Sequence, residues 1–194
     1  METVKIGNKT WEVNNSLNRN FINGDEIHYC TTLQDWVQCV KDKKPACCFY
    51  DFNEANEKHG LLYNGYVLLD SRGFGKEGFR AANYLDWNDL DFLVGGKLFA
   101  DDLKSAKEWV KIESNGENQE IIHLNYEDKF GFKCLPSGWV NEQGNFSQLG
   151  SISKFWTSTK DDDSDELWAR MIGLKFSSLT IKPSNGFSIR FVKI

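Results

Sequence analysis

The chain has 194 residues, 40% of them hydrophobic and 26% charged, the balance of one ordinary domain and not of a wholly disordered chain. Its formal charge is −5, with no basic cluster. Nucleic acid is therefore not an expected partner, because phosphate contact needs concentrated Lys and Arg. No apolar run approaches the ~20 residues of a membrane span.

The first residues, METVKIG, lack the apolar stretch of a signal peptide. Two expectations follow: synthesis in the cytosol, or a leader removed ahead of Met1. Residues 3–13 read as a hairpin around Gly7-Asn8. Asn23-Gly24 marks a turn. Thr31 or Thr32 caps a helix over about 33–42, with Leu33, Trp36, Val37 and Val40 as its apolar stripe. Residues 46–52 and 61–69 read as strands, and 72–79 as Gly-rich turns. Asn83 or Asp86 opens a second helix over about 85–94, with Leu85, Leu90, Leu93 and Val94 inward and Gly95-Gly96 as its stop.

Residues 97–112 suit a helix at first and a strand at Trp109–Ile112, and 113–120 read as a polar loop. The last third alternates short aromatic runs with turns, giving strands at 130–135, 138–140, 154–158, 166–172, 174–181 and 186–192. Two helices early and small antiparallel sheets with long loops late make an α+β fold, read as a single domain over 1–194. Trp156 and Phe187 are expected in the core.

Five cysteines stand at 30, 39, 47, 48 and 134. The number is odd, so at least one thiol is unpaired in the monomer. The first four have neither zinc-finger nor thioredoxin spacing. Vicinal Cys47 and Cys48 read as small strand residues facing opposite ways, with a soft metal or redox pair as the alternative. The histidines His28, His59 and His123 show no partner at metal-ligand spacing. The string Gly73 to Gly78 spells G-x-G-x-x-G, without the strand and long helix that a dinucleotide site needs, and reads as turns. The acidic run of Asp161, Asp162, Asp163, Asp165 and Glu166 offers hard oxygens, so calcium is a weak candidate cofactor. It lacks EF-hand spacing, and the plainer expectation is a solvated loop between strands.

Ten phrases in order carry a family resemblance. They are TVKIGNKTW (3–11), FINGDEI (21–27), GLLYNGY (60–66), RGFGKEGF (72–79), WNDLDFLVGG (87–96), GFKCLPSGW (131–139), GNF (144–146), FWTST (155–159), ELWAR (166–170) and GFSIRFV (186–192). The chain resembles the Fibrobacter succinogenes major paralogous domain (FISUMP) family, common in Bacteroidetes and similar to C-type lectin-like folds. The resemblance implies a non-catalytic binding module, usually secreted or at the surface. The family usually carries two cysteines, expected to pair, where this chain has Gly75 and Phe191. Their joint absence suits a reducing cytosol or a particle assembled there, and Phe191 is expected to fill the space beside Gly75. Trp87-Asn88-Asp89 matches a calcium-binding tripeptide of true C-type lectins, but it sits on the early helix, so that role is not carried over.

The function expected is recognition of a protein or glycan, with no cofactor required. In such folds the late loops and strands form the binding surface. Here that maps to Trp168, Arg170, Lys175, Ser177, Ser178, Lys182, Ser184 and Asn185, placed outward by period-2 alternation. A phage virion or tail receptor-binding protein, or one diversified by a retroelement, fits within this class. Two alternatives stand beside it. One is a secreted surface domain whose leader was removed. The other is a cysteine-dependent oxidase or metal enzyme on the related formylglycine-generating fold, using Cys47, Cys48 or Cys134.

Overall fold

The computed structural model describes residues 2–115 and 118–194, with the backbone alone at 97, 114, 115, 118 and 119. The N-terminal hairpin forms as its turn dictates. β1 (Thr3–Ile6) and β2 (Lys9–Glu12) pair antiparallel across Gly7, whose φ of +61° is the left-handed conformation such a tight loop needs. A long loop with the expected turn at Gly24 leads to β3 (His28–Tyr29). β3 runs parallel to β4 (Ala46–Cys48), with α1 (Leu33–Lys41) crossing between them. Thr32 caps α1 by accepting from the Asp35 amide at 3.2 Å.

Two 3₁₀ turns (Tyr50–Phe52 and Glu54–His59) lead to β5 (Leu62–Asn64) and the single-turn α2 (Tyr66–Leu69). The hairpin β6 (Gly75–Lys76) and β7 (Phe79–Ala81) precedes α3 (Tyr84–Leu93). After a 3₁₀ stretch (Lys97–Leu103) come β8 (Trp109–Asn115) and β9 (Asn118–Leu124), paired as a separate ribbon. The last third holds β10 (Ser137–Val140), β11 (Phe146–Leu149), β12 (Ser153–Lys160), β13 (Leu167–Ile172), β14 (Phe176–Ile181), β15 (Gly186–Phe187) and β16 (Phe191–Lys193).

The architecture is mixed α+β. One sheet has the order β1-β2-β16-β7-β6, so the last strand lies beside the second. The larger sheet runs β14-β13-β12-β10-β15-β5-β4-β3, with β11 beside β10. Its interior strand β12 has a core on each side. Trp156 enters the cluster with Phe187, Tyr63 and Phe191, while Phe155 enters the one with Trp11, Trp87 and Phe132. Successive strand residues face opposite ways, so β12 is buried continuously from Ser153 to Thr157 where it lies between the two cores. Trp156 and Phe187 are both core residues, as expected.

Several expectations are corrected. The sheets are neither all late nor all antiparallel, since the early strands β1 to β7 join both larger sheets and two strand pairings are parallel. The run 61–69 is not one strand. Gly65 breaks it, because its backbone lies against Pro183, where a Cβ would come within 2.8 Å of the proline Cα. Of the expected loop at 113–120, residues 116 and 117 lie outside the described residues, and 113–115 and 118–120 are strand. These strand ends extend β8 and β9, whose ribbon leaves Ile112 and Ile121 exposed and so carries no clean apolar alternation. Residues 130–135 form turns rather than a strand. The 146–149 strand went unpredicted.

Both helices face inward differently from the sequence expectation. On α1, Trp36 and Cys39 are buried while Leu33 and Val37 are exposed. On α3, Trp87, Leu90 and Val94 are inward while Leu85 and Leu93 are outward. Nor does Phe191 fill the space beside Gly75. β7 runs between their strands, about two strand spacings or roughly 9–10 Å. That is too far for two cysteines to pair without backbone movement. Phe191 packs instead on Phe74, with ring centroids 5.4 Å apart.

α3 owes its orientation to its first turn. Asn83 and Asp86 form a reciprocal capping box. The buried Asp86 carboxylate also meets Arg80 at 2.5 Å and Lys9 at 2.8 Å. Burial pushes its pKa up, but the bonds from Arg80, Lys9 and the Asn83 amide outweigh that and hold it below 3.8. The folded protein therefore binds this proton less readily than the unfolded chain. The stabilisation is complete above the unfolded value and is lost as pH falls through the folded one. Asp86→Asn should cost on the order of 1–3 kcal/mol in urea unfolding near neutral pH, and less in the acid range below the carboxyl pKa. An equal cost at both would contradict this role.

Candidate functional site

The late residues chosen from the sequence do not form one patch. Lys175 is exposed at the β13–β14 turn and Lys182 lies beyond the far end of β14. Six strand residues, roughly 17–20 Å, separate them. Trp168 is half-buried against the Tyr84 ring, at 4.7 Å between centroids. Arg170 is not an outward residue. It is 2% exposed, donates to Ser178 and to the Asn88 Oδ1, and lies over Tyr84. Its strand position faces α3, so the alternation places it under a helix instead of in solvent. Ser178 is exposed and Ser177 half-exposed.

Lys182, Ser184 and Asn185 belong to the β14–β15 connection, where the Asn185 amide donates to the Lys182 carbonyl at 3.2 Å. Ser184 is also buried, contrary to expectation, and donates to Glu142 Oε2 at 2.8 Å. This connection walls a groove of about 680 Å³. Val40 and Lys43 at the end of α1 form one side, Tyr66 and Leu69 of α2 another, and Lys160 with Ser164 to Glu166 a third. The groove is local in origin. The Gly65 amide donates to the Pro183 carbonyl at 2.7 Å, and this contact sets α2, and with it the Tyr66 ring, against the Lys182 loop.

The groove mixes an apolar floor of Val40, Leu69 and Pro183 with charges of both signs. Hydrogen bonds from Ser184 and Gln143 hold Glu142 below the usual carboxylate range, so it is ionised at neutral pH. The acidic run forms the β12–β13 turn and contributes Asp165 and Glu166. Its carboxylates do not converge. Asp165 turns to Lys160 at 3.0 Å and Asp161 accepts from Ser164 at 2.8 Å. Asp162 and Asp163 are exposed.

All five thiols are buried and free. Burial pushes Cys47 and Cys134 up to about 12 and Cys48 well above its ordinary value. One grouping escaped the sequence reasoning. His28, Cys30, Asp35 and Cys39 bring ligand atoms within 4.8 Å of one another. The signal was present as an i, i+2 pair entering a helix that carries an i, i+4 pair, but no linear metal motif has that form.

The fold is a mixed α+β scaffold presenting an open groove of apolar and charged side chains. A family model described as the Fibrobacter succinogenes major domain matches residues 4–193. The chain belongs to that family. No curated protein and no solved structure matches it. Among the described residues, no helix is long and apolar enough to cross a membrane.

The burial of the thiols has a direct consequence. Ellman's reagent should modify none of the five in the native protein except at the rate of unfolding. Rapid modification of Cys47, Cys48 or Cys134 would contradict the packing described.

Proposed function

We propose that the protein is a non-catalytic binding module of C-type lectin-like form. It takes a protein or glycan ligand in the groove between α1, α2 and the β14–β15 connection. The pairing of β16 with β2 and the long-loop segments built onto the larger sheet support the lectin-like form. The observation that carries the binding role is the groove itself. A half-exposed Tyr66 ring stands beside Lys43, Lys160 and Lys182 and the carboxylates of Glu142 and Asp165. An aromatic face with donors and acceptors around it suits a sugar ring or a polar peptide segment.

The groove lining contains no histidine and no cysteine. Its Ser184 hydroxyl is engaged by an ionised carboxylate, which favours recognition over nucleophilic chemistry. Calcium has no part in this reading.

Labelled protein screened on a glycan array and against peptide libraries tests the proposal. A captured ligand should bind Tyr66→Ala and Lys182→Glu about tenfold more weakly or worse, the loss typical of an anchoring contact. A ligand held equally by both variants would remove this groove as the site.

A further inference from the structure

We propose that His28, Cys30, Asp35 and Cys39 form a tetrahedral site for a zinc-class divalent ion. The four come from two short elements that face each other. His28 in β3 and Cys30 just after it are two residues apart, so both side chains leave the extended chain on one side. Asp35 and Cys39 are four apart on α1 and share one face of the helix. The Thr32 cap fixes the turn between the two pairs.

The distances fit. The Cys30 and Cys39 sulfurs are 3.9 Å apart. Two thiolates on one tetrahedral zinc, with bonds of about 2.3 Å, stand roughly 3.8 Å apart. Asp35 Oδ1 is 3.9 Å from the Cys39 sulfur and 2.8 Å from His28 Nε2. The last contact must open by roughly half an ångström to admit bonds of about 2.0–2.1 Å, and the other pairs, all within 4.8 Å, must draw in to the roughly 3.5–3.8 Å of a tetrahedral set. Both side chains at that edge are about one-third exposed and have room to do so.

The chemistry selects the ion. Two thiolates, an imidazole and one carboxylate are a borderline-soft set that suits zinc and not calcium or magnesium. Their formal charge of −3 against +2 leaves the site at −1. Lys44, whose Nζ lies 3.0 Å from His28 Nδ1, is a cation beside the site. With the metal on Nε2 the neutral imidazole carries its proton at Nδ1, so the Lys44 ammonium gives up that contact while staying close enough to offset the charge. With four protein ligands no position stays open for substrate, so the ion is structural. It pins β3 to α1, the helix whose far end carries Val40 and Lys43 into the groove. The metal site does not depend on the binding role proposed for that groove.

Cobalt(II) titration of reduced, chelator-treated full-length protein tests the site. One equivalent should give thiolate-to-cobalt charge transfer in the near ultraviolet and the intense visible bands of tetrahedral cobalt, and zinc should displace it. Cys30→Ser and Cys39→Ser should erase the thiolate band. His28→Gln and Asp35→Asn, at half-exposed positions that leave folding intact by circular dichroism, should weaken zinc binding by at least the roughly tenfold that even outer-shell losses cost. Absence of the thiolate band in the wild type would overturn the proposal. So would equal cobalt binding by His28→Gln and Asp35→Asn.

Discussion

The fold is organised around a buried guanidinium that hydrogen-bonds to carbonyl oxygens. Arg190 is fully buried just before β16. It donates to Asn15 Oδ1 at 2.7 Å and to the backbone carbonyls of Glu12 and Phe132 at 3.0 Å and Lys133 at 3.2 Å, with Val13 a further acceptor. It also lies over the Phe132 ring at 4.5 Å. Burial pulls its pKa down to about 10, so it keeps its charge at neutral pH. A buried cation is costly unless its donors are satisfied. Satisfying these requires the end of the N-terminal hairpin, the 132–133 turn and the last strand to be in place together. The planar fork of Arg, with five donors, can bridge such a set where Lys cannot.

That clamp separates a fixed base from a more adaptable surface. On the base side, β12 carries a core on each face and β16 closes against β2 and β7. On the other side, short turns carry the groove: the acidic β12–β13 turn, the Lys182 loop and the single-turn α2. The contact of Gly65 with Pro183 links the two. Loops on a rigid scaffold are where binding residues tend to sit, because their backbone is free of the ladder. The α1 helix joins both regions, with its metal-ligand residues toward β3 and its C-terminal end in the groove.

The sequence carried the local rules well. Gly7, Thr32, Asn83 and Gly95 each acted as turn or cap chemistry demands, because those effects are decided within a few residues. It carried less about which face of a helix is buried. α1 turned Trp36 and Cys39 inward, and α3 turned Trp87, because the neighbours that decide this are far along the chain. The strand read at Trp109–Ile112 runs on to Asn115 and a second starts at Asn118, which the polar sequence there did not show, since a ribbon with exposed residues on it leaves no alternation to read. At the site, Lys182 and the acidic turn were legible as late surface features. Arg170 was not, because alternation along β13 cannot reveal that α3 covers the face it points to. The His28 to Cys39 grouping was invisible for a related reason: its two pairs meet only once β3 and α1 are packed.

Urea unfolding of Arg190→Met, followed by tryptophan fluorescence, asks whether the clamp holds the base together. The substitution keeps an unbranched apolar side chain but leaves five carbonyl oxygens without their donor. Stability should fall by on the order of 3–5 kcal/mol, a large share of what a domain of this size has. A loss under about 1 kcal/mol would show that the hairpin, the turn and the last strand are held by their own packing, with Arg190 an accessory.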